Sequence, residues 1–194
     1  MNQFIQQASK FSSNTAIIVD DKKFTYDELL KASSRFASFL LDGEKDLQEQ
    51  RVAFMVNPGF DYVKVQWAIW RAGGITVPLC LSHPLPSLEY VIEDTGASII
   101  IVSPQYESLL KNLTAKKNIR FIVLSENMPD EETELPRITA ERRAMILYTS
   151  GTTNLPKGVV TTHANLQAQI TTLVNAWKWT SSDQIVCVLP LHHV

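Results

Sequence analysis

Hydrophobic and polar positions along the chain form two alternating patterns, short apolar runs and longer segments with apolar residues three and four positions apart. Short apolar runs are typical of strands buried on both faces, and the longer spacing is typical of amphipathic helices. The predicted strands are 51–56, 75–79, 98–102, 120–124, 144–148, 159–162 and 185–189. The predicted helices are 25–43, 61–72, 85–94, 105–113 and 163–177. This alternation predicts an α/β fold of right-handed βαβ units with a mainly parallel sheet.

The first long helix has a clear beginning and end in the sequence. Thr25 and Glu28 have the spacing of a capping box, in which each side chain accepts a hydrogen bond from the other residue's backbone N–H. Gly43 follows the last apolar position and is expected to end the helix. Residues 125–143 interrupt the alternation with acidic residues and two prolines. We interpret them as a surface connection rather than a regulatory acidic tail.

Composition narrows the class of protein. The 194 residues are 45% hydrophobic and 20% charged, with a formal net charge of −2, as in ordinary globular proteins. This charge gives no basic surface for nucleic acid, and no apolar run approaches the length of a membrane span. The N-terminus lacks the features of a signal or transit peptide. Cys80 and Cys187 lie in apolar sequence surroundings and are expected to be buried free thiols. Free thiols and the missing targeting features together indicate a cytoplasmic protein.

Residues 148–158 carry the strongest chemical signal, with the sequence Tyr-Thr-Ser-Gly-Thr-Thr-Asn-Leu-Pro-Lys-Gly. Hydroxyls, backbone amides and a single lysine suit the binding of a polyphosphate, although composition alone equally fits a polar turn between two strands. The segment is not a Walker loop, because Pro156 and Gly158 occupy the positions of that motif's second glycine and its metal-binding hydroxyl. The β-branched residues that follow favour a strand over a helix.

The same segment resembles the phosphate-binding signature of the adenylate-forming superfamily, which contains acyl-CoA synthetases, luciferases and peptide-synthetase adenylation domains. Its usual form is Tyr-Thr-Ser-Gly-Thr-Thr-Gly-x-Pro-Lys-Gly, and only Asn154 departs from the fixed positions. Asn tolerates positive φ better than most residues, so the loop shape can survive this change. Further segments resemble the superfamily in the same order along the chain: 24–29, 73–79 and 189–194. Features at 83–84, 88–92, 177–180 and 189–194 resemble the malonyl-CoA synthetase branch, which includes acyl-CoA synthetase family member three.

The resemblance implies an ATP-dependent carboxylate–CoA ligase that uses ATP, Mg²⁺, CoA and a small carboxylic acid, with malonate as the expected acid. The residues that match its phosphate-binding positions are Thr149, Ser150, Gly151, Thr152, Thr153 and Lys157. His193 matches the histidine of the acyl-substrate pocket. Members of the superfamily are much longer, so residues 1–194 resemble the N-terminal part of the adenylation domain. The resemblance places the catalytic lysine downstream, and we therefore expect this fragment alone to be inactive.

Other functions remain open at this point. Within the same class, the alternatives are a medium- or long-chain fatty acyl-CoA ligase and an amino-acid adenylation domain. A contrasting alternative is a non-catalytic nucleotide-binding module, which Asn154 and the short length favour. A reading frame that continues beyond residue 194 into further motifs of the superfamily would support the ligase.

The remaining histidines and tryptophans have simple structural interpretations. Adjacent His192 and His193 would point to opposite sides of an extended segment, so a shared metal ion is not expected. His163 begins a predicted helix, where a structural role is expected. The four tryptophans are expected to pack in the core on helix faces: Trp67, Trp70, Trp177 and Trp179.

Overall fold

The computed structural model of the protein describes residues 3–114, 118–125, 133–149 and 155–192. The strands are β1 Thr15–Val19, β2 Lys22–Thr25, β3 Arg51–Met55, β4 Ile75–Pro78, β5 Ile99–Val102, β6 Arg120–Val123, β7 Arg143–Thr149 and β8 Lys157–Thr162. The α-helices are α1 Gln3–Ala8, α2 Tyr26–Leu41, α3 Phe60–Arg71, α4 Leu85–Thr95, α5 Glu107–Thr114 and α6 His163–Trp177. Two short 3₁₀ helices, Ser9–Phe11 and Pro104–Tyr106, precede β1 and α5.

The central sheet has six strands in the order β6-β5-β3-β4-β7-β8. The first five strands are parallel, and β8 runs antiparallel to β7 at the edge. The prediction of an α/β fold with a mainly parallel sheet is therefore confirmed. The antiparallel edge arises because β7 and β8 are joined directly by residues 150–156, which leaves no room for a crossover helix.

Two apolar layers cover the opposite faces of the sheet. Along β3, Val52 and Phe54 belong to the layer under α2 and α3, whereas Ala53 and Met55 belong to the layer under α4 and α5. Successive side chains of a strand point to opposite faces, so a strand covered on both sides must be apolar throughout. This explains why the strands of the interior appear in the sequence as unbroken apolar runs.

The beginning of α2 confirms the predicted capping box. The Thr25 side chain accepts a hydrogen bond from the Glu28 backbone at 3.2 Å, and the Glu28 carboxylate accepts one from the Thr25 backbone at 2.6 Å. This bond to the Thr25 backbone, and a second to its hydroxyl, lower the pKa of Glu28. The helix is followed by Asp42 in the left-handed conformation and then by Gly43, close to the predicted end.

The predicted strand 185–189 is wrong. The segment has no regular structure, and its apolar side chains lie in solvent; Val186 is 81% exposed. A strand requires a neighbouring strand to pair its backbone groups, and no described strand pairs with this segment.

The structure also contains a hairpin that the sequence pattern did not indicate. β1 and β2 form a separate two-stranded antiparallel sheet, joined by Asp20 and Asp21 with φ angles of 46° and 66°. Positive φ at both positions is typical of a tight hairpin turn, which Asp accepts more readily than most residues.

Two expectations about buried side chains are only partly correct. Cys80 is buried and free as predicted, whereas Cys187 is exposed because it lies in the unpaired segment 185–189. Trp70 is buried and Trp67 packs beside it, as expected of core residues.

The two tryptophans at the end of α6 differ from that expectation. Trp177 and Trp179 are 57% and 38% exposed and contact each other at a ring-centroid distance of 5.2 Å. Both rings are therefore only partly covered by the described residues.

The described part of the connection 125–143 is mostly exposed, as predicted for a surface segment, and Ile138 is its one buried residue among those described. Residues 126–132 lie outside the described residues. Thr133 donates its backbone N–H to the Ser38 hydroxyl at 2.9 Å, and Ile138 is buried. Thr133 therefore contacts α2, and Ile138 anchors the connection in the core.

No helix within the described ranges combines the length and apolar character needed to cross a membrane.

Candidate functional site

The phosphate-binding signature forms the junction between β7 and β8. Thr149 and Lys157 are the last paired residues before the connecting residues 150–156, and the Thr149 hydroxyl donates to the Lys157 carbonyl oxygen at 3.5 Å. The Lys157 side chain is exposed. The pairing therefore brings one signature hydroxyl and the signature cation together at the same strand end.

Four other predicted phosphate-binding residues, Ser150, Gly151, Thr152 and Thr153, lie outside the described residues, as does Asn154. Their contacts with phosphate stay predictions. The structure fixes the two ends of the segment, which are Thr149 on β7 and Leu155 to Lys157 leading into β8.

The carboxyl ends of β3, β4 and β7 lie at the same edge of the sheet because these strands are parallel neighbours. Ligands of open α/β sheets bind at this edge, beyond the strand ends. Val56 and Leu79 directly follow β3 and β4, and Thr149 ends β7. The hairpin and the residues after β3 and β4 therefore share the edge where a ligand is expected.

A cavity of about 270 Å³ opens at this edge. Its walls are mainly apolar, with one tyrosine, one serine and one histidine: Val56, Pro58, Tyr62, Leu79, Leu81, Ser82, Pro190, Leu191 and His192. The Tyr62 hydroxyl donates to the Leu191 carbonyl oxygen at 2.8 Å and so holds one wall in place. Burial, with a smaller contribution from Cys187, raises the pKa of Tyr62, which keeps the hydroxyl protonated as a donor.

The two predicted histidines at this edge have different outcomes. His192 lines the cavity, and its ring meets that of His83 at a centroid distance of 6.1 Å. His193, the predicted acyl-pocket residue, lies outside the described residues, so its role stays a prediction. Sequence reasoning assigned nothing to His83, which reaches the same region through the loop after β4.

Helix α4 supplies side chains to the hairpin that sequence reasoning missed. The Tyr148 hydroxyl donates to the Asp94 carboxylate at 2.5 Å, and the Tyr90 hydroxyl donates to the Pro156 carbonyl oxygen at 3.1 Å. Burial and the hydrogen bond to Asp94 raise the pKa of Tyr148. The i,i+4 spacing of Tyr90 and Asp94 placed them on one helix face, but nothing in the sequence placed that face beside the hairpin.

The amino end of β7 is held by buried polar contacts. The Ala144 carbonyl oxygen accepts hydrogen bonds from the Trp70 indole at 2.7 Å and from the Thr76 hydroxyl at 3.1 Å. His163 is buried against Trp70 at the start of α6, which agrees with its predicted structural role. Burial and then the charge of Arg142 lower the pKa of His163 to about 4.

Within the described ranges, no group of three His, Cys, Asp or Glu side chains could hold a metal ion. Mg²⁺ stays an expectation from the resemblance.

Several relatives with assigned functions are CoA ligases. The chain is 40% identical over 199 residues to malonate–CoA ligase ACSF3 of Mus musculus, described as mitochondrial, covering 97% of this chain and 34% of the relative. It is 30% identical over 214 residues to malonate–CoA ligase of Arabidopsis thaliana, covering 97% of this chain and 35% of the relative. The chain thus spans about a third of the length of these relatives.

Solved structures show the same fold. The ATP-bound MatB of Rhodopseudomonas palustris matches with a TM-score of 0.83 at 25% identity, covering 100% of this chain and 41% of MatB. The O-succinylbenzoate coenzyme A synthetase MenE of Bacillus subtilis, in complex with AMP, matches with a TM-score of 0.87 at 23% identity, covering 100% of this chain and 50% of MenE. The family described as AMP-binding enzyme matches residues 4–194, and the chain therefore belongs to the AMP-binding enzyme family of adenylate-forming proteins.

Proposed function

We propose that the full-length protein is an ATP-dependent carboxylate–CoA ligase. The observation that supports this proposal is the β7–β8 hairpin, in which Thr149 and Lys157 of the family signature lie at the carboxyl ends of the parallel strands. In the first step, a carboxylate oxygen attacks the α-phosphorus of ATP, and the bond to the pyrophosphate oxygen breaks. In the second step, the thiol sulfur of CoA attacks the acyl carbon, a base accepts the thiol proton, and AMP leaves.

The hairpin residues are proposed to act on the pyrophosphate side of the first step. Negative charge accumulates on the leaving pyrophosphate as the bond to the α-phosphorus breaks. A cation and hydroxyl donors already aimed at that charge lower the barrier, because they need no rearrangement during the reaction. Lys157 supplies the cation, and Thr149, Ser150, Thr152 and Thr153 supply hydroxyls, while Gly151 leaves room for the phosphates.

For the acid substrate, we propose malonate. This choice is supported by the names of the relatives in a mouse and a plant, which are malonate–CoA ligases. The cavity after β3 and β4 is proposed as part of the site for this acid. His192 and Ser82 line this cavity and are proposed to donate hydrogen bonds to the carboxylate of the acid. His193 is proposed to lie at the same acyl pocket.

The test is pyrophosphate release by the full-length protein with malonate, methylmalonate, acetate, octanoate and a panel of amino acids, each with and without CoA. We expect CoA-dependent turnover with malonate. Turnover with another acid would keep the ligase and remove malonate. Absence of release with every acid would contradict the proposed activity.

The second candidate function is a non-catalytic nucleotide-binding module, which Asn154 in the signature favours. Asn in place of Gly restricts the backbone, and an inactive full-length protein that turns over after Asn154→Gly would be a damaged ligase. If the Asn154→Gly protein binds ATP but still releases no pyrophosphate, the module is supported. Residues 1–194 alone are proposed to release none in either case, since the resemblance places the catalytic lysine downstream.

The compartment is a separate proposal. The cytoplasmic location expected from the sequence stays a prediction, and the animal relatives are described as mitochondrial. Fractionation of cells that express the full-length protein with its own N-terminus distinguishes the two compartments.

A further inference from the structure

Helix α4 contacts the signature hairpin on both sides of the residues that connect β7 to β8. On the β7 side, the Tyr148 hydroxyl donates to Asp94 Oδ2 at 2.5 Å. On the β8 side, the Tyr90 hydroxyl donates to the Pro156 carbonyl oxygen at 3.1 Å. Tyr90 and Asp94 are one helical turn apart, so a single face of α4 contacts both Tyr148 and Pro156.

The two tyrosines form one packed unit. Their rings meet edge to face, with centroids 6.3 Å apart and planes at 82°. The ring of Tyr148 also lies over Gly158, where an added Cβ would come within 3.2 Å of Tyr148 Cζ. Gly158 therefore allows Tyr148 to lie flat across the hairpin and reach Asp94.

The helix itself is a rigid support. Leu88, Val91 and Ile92 of α4 are buried in the same apolar layer as Ile146 of β7. A binding loop is held most accurately when its contacts come from an element that the core already fixes. The two hydrogen bonds thus tie the loop ends to the sheet through α4 as well as through the strands.

We propose that Tyr90 and Asp94 are positioning residues that hold both ends of the signature hairpin where Lys157 and the loop hydroxyls contact the triphosphate of ATP. This inference rests on the proposed function, since it assumes that the hairpin binds ATP. Neither side chain touches the substrate; both act through Tyr148 and Pro156.

The test uses the full-length protein with the variants Tyr90→Phe and Asp94→Ala. Tyr90→Phe retains the ring, and Ala is the most favourable residue inside a helix, so α4 itself remains stable. Loss of one hydrogen bond is expected to weaken ATP binding by about 3- to 10-fold, as measured by calorimetry. Amide hydrogen exchange in peptides that cover 149–157 is expected to become faster in both variants, while peptides from β3 and β4 keep their exchange rates.

Two matched variants separate positioning from a general effect on α4. Asp94→Asn retains an oxygen acceptor for Tyr148 and is expected to restore ATP affinity to within about 2-fold of the wild type. Thr95→Val removes the hydroxyl that donates to Val91 O at 2.7 Å within α4 and does not contact the hairpin. Equal ATP affinity and equal exchange in Tyr90→Phe, Asp94→Ala, Thr95→Val and the wild type would overturn the inference.

Failure of the proposed function would give a different set of results. If the wild type neither binds ATP nor releases pyrophosphate, the proposed function fails. The exchange rates of 149–157 then decide whether α4 holds the hairpin: faster exchange in Tyr90→Phe and Asp94→Ala supports this, and unchanged exchange contradicts it.

Discussion

The guanidinium of Arg142 holds the carboxylate of Asp46 with two hydrogen bonds, 2.6 and 2.9 Å long. A third bond, 2.6 Å long, runs from Arg142 to the Gly73 carbonyl oxygen. Partial burial alone would raise the pKa of Asp46, but the hydrogen bonds from Arg142 and from the Gln48 backbone outweigh it, and the pKa is lowered. The residue before β7 is thereby fastened to the α2–β3 and α3–β4 loops.

Arg142→Met is expected to destabilise the protein by about 1–3 kcal/mol, because it leaves a half-buried carboxylate without its partner. Urea unfolding followed by circular dichroism measures the change. Lys31→Met is the control, since Lys31 pairs with Asp27 on the exposed face of α2. That change should cost less than about 0.5 kcal/mol, and equal losses in the two variants would contradict the importance of the Arg142–Asp46 pair.

Stability is expected to fall below about pH 6.5 because of His163. Burial and the charge of Arg142 lower its pKa from 6.5 to about 4, so the folded protein keeps His163 neutral where the unfolded chain already binds a proton. The unfolded state therefore binds more protons between these values, and the free energy of unfolding falls by roughly 1.4 kcal/mol per pH unit toward pH 5. Above pH 6.5 this contribution is constant.

Unfolding of the wild type and of His163→Gln at several values between pH 5 and 7 tests this dependence. The variant is expected to show a flatter profile, because its side chain does not titrate. His83→Gln is the matched control, a histidine substitution at an exposed position. Parallel profiles in the wild type and His163→Gln would show that His163 is not the source.

The interior elements were predictable because burial on both faces leaves a direct trace in the sequence. The apolar run Ile99–Val102 and the amphipathic spacing of α3 each follow from the layer that covers them. The capping box at Thr25 and the predicted helix His163–Trp177 are also confirmed. In these places, local pattern and tertiary packing favour the same structure.

The features that could not be predicted depend on neighbouring elements that sequence spacing does not identify. Residues 185–189 have the apolar pattern of a strand, but a strand forms only where another strand edge is available. Asp94 looks like an ordinary exposed helical carboxylate, and only the packing of α4 against β7 brings it to Tyr148. The signature motif identified the candidate site, whereas the side chains that hold it required the structure.

Gly158→Ala is expected to destabilise the hairpin. Its Cβ would lie 2.9 Å from Ile146 Cγ2 and 3.2 Å from Tyr148 Cζ, so these two side chains must shift to make room for it. Overpacking of this kind costs about 1–3 kcal/mol, measured as a lower urea midpoint. Val159→Ala on the exposed side of β8 is the control and should cost much less. A Gly158→Ala protein as stable as this control would show that the ring tolerates the methyl group.

One of the two thiols is expected to react rapidly in the native protein. Cys187 is exposed, whereas Cys80 is 7% exposed beside the Ser82 hydroxyl. A thiol reagent with a chromophoric leaving group should therefore give one fast and one slow phase, since reaction requires access to the sulfur. Cys187→Ser should remove the fast phase and Cys80→Ser the slow one. A fast phase that survives Cys187→Ser would show that Cys80, not Cys187, is the accessible thiol.

Lys157→Ala is expected to weaken ATP binding by the full-length protein more than any single loss of a neutral hydrogen bond. A charged contact with phosphate contributes about 1.5–3 kcal/mol, which corresponds to roughly 10- to 100-fold in affinity. Lys23→Ala removes an exposed lysine from the separate β1–β2 sheet and matches the change in net charge. ATP titrations of both variants at two salt concentrations separate a local contact from a general charge effect, because screening weakens long-range attraction most. Equal weakening in the two variants would mean that Lys157 acts only through net charge, whereas a loss confined to Lys157→Ala would place its ammonium group at the phosphates.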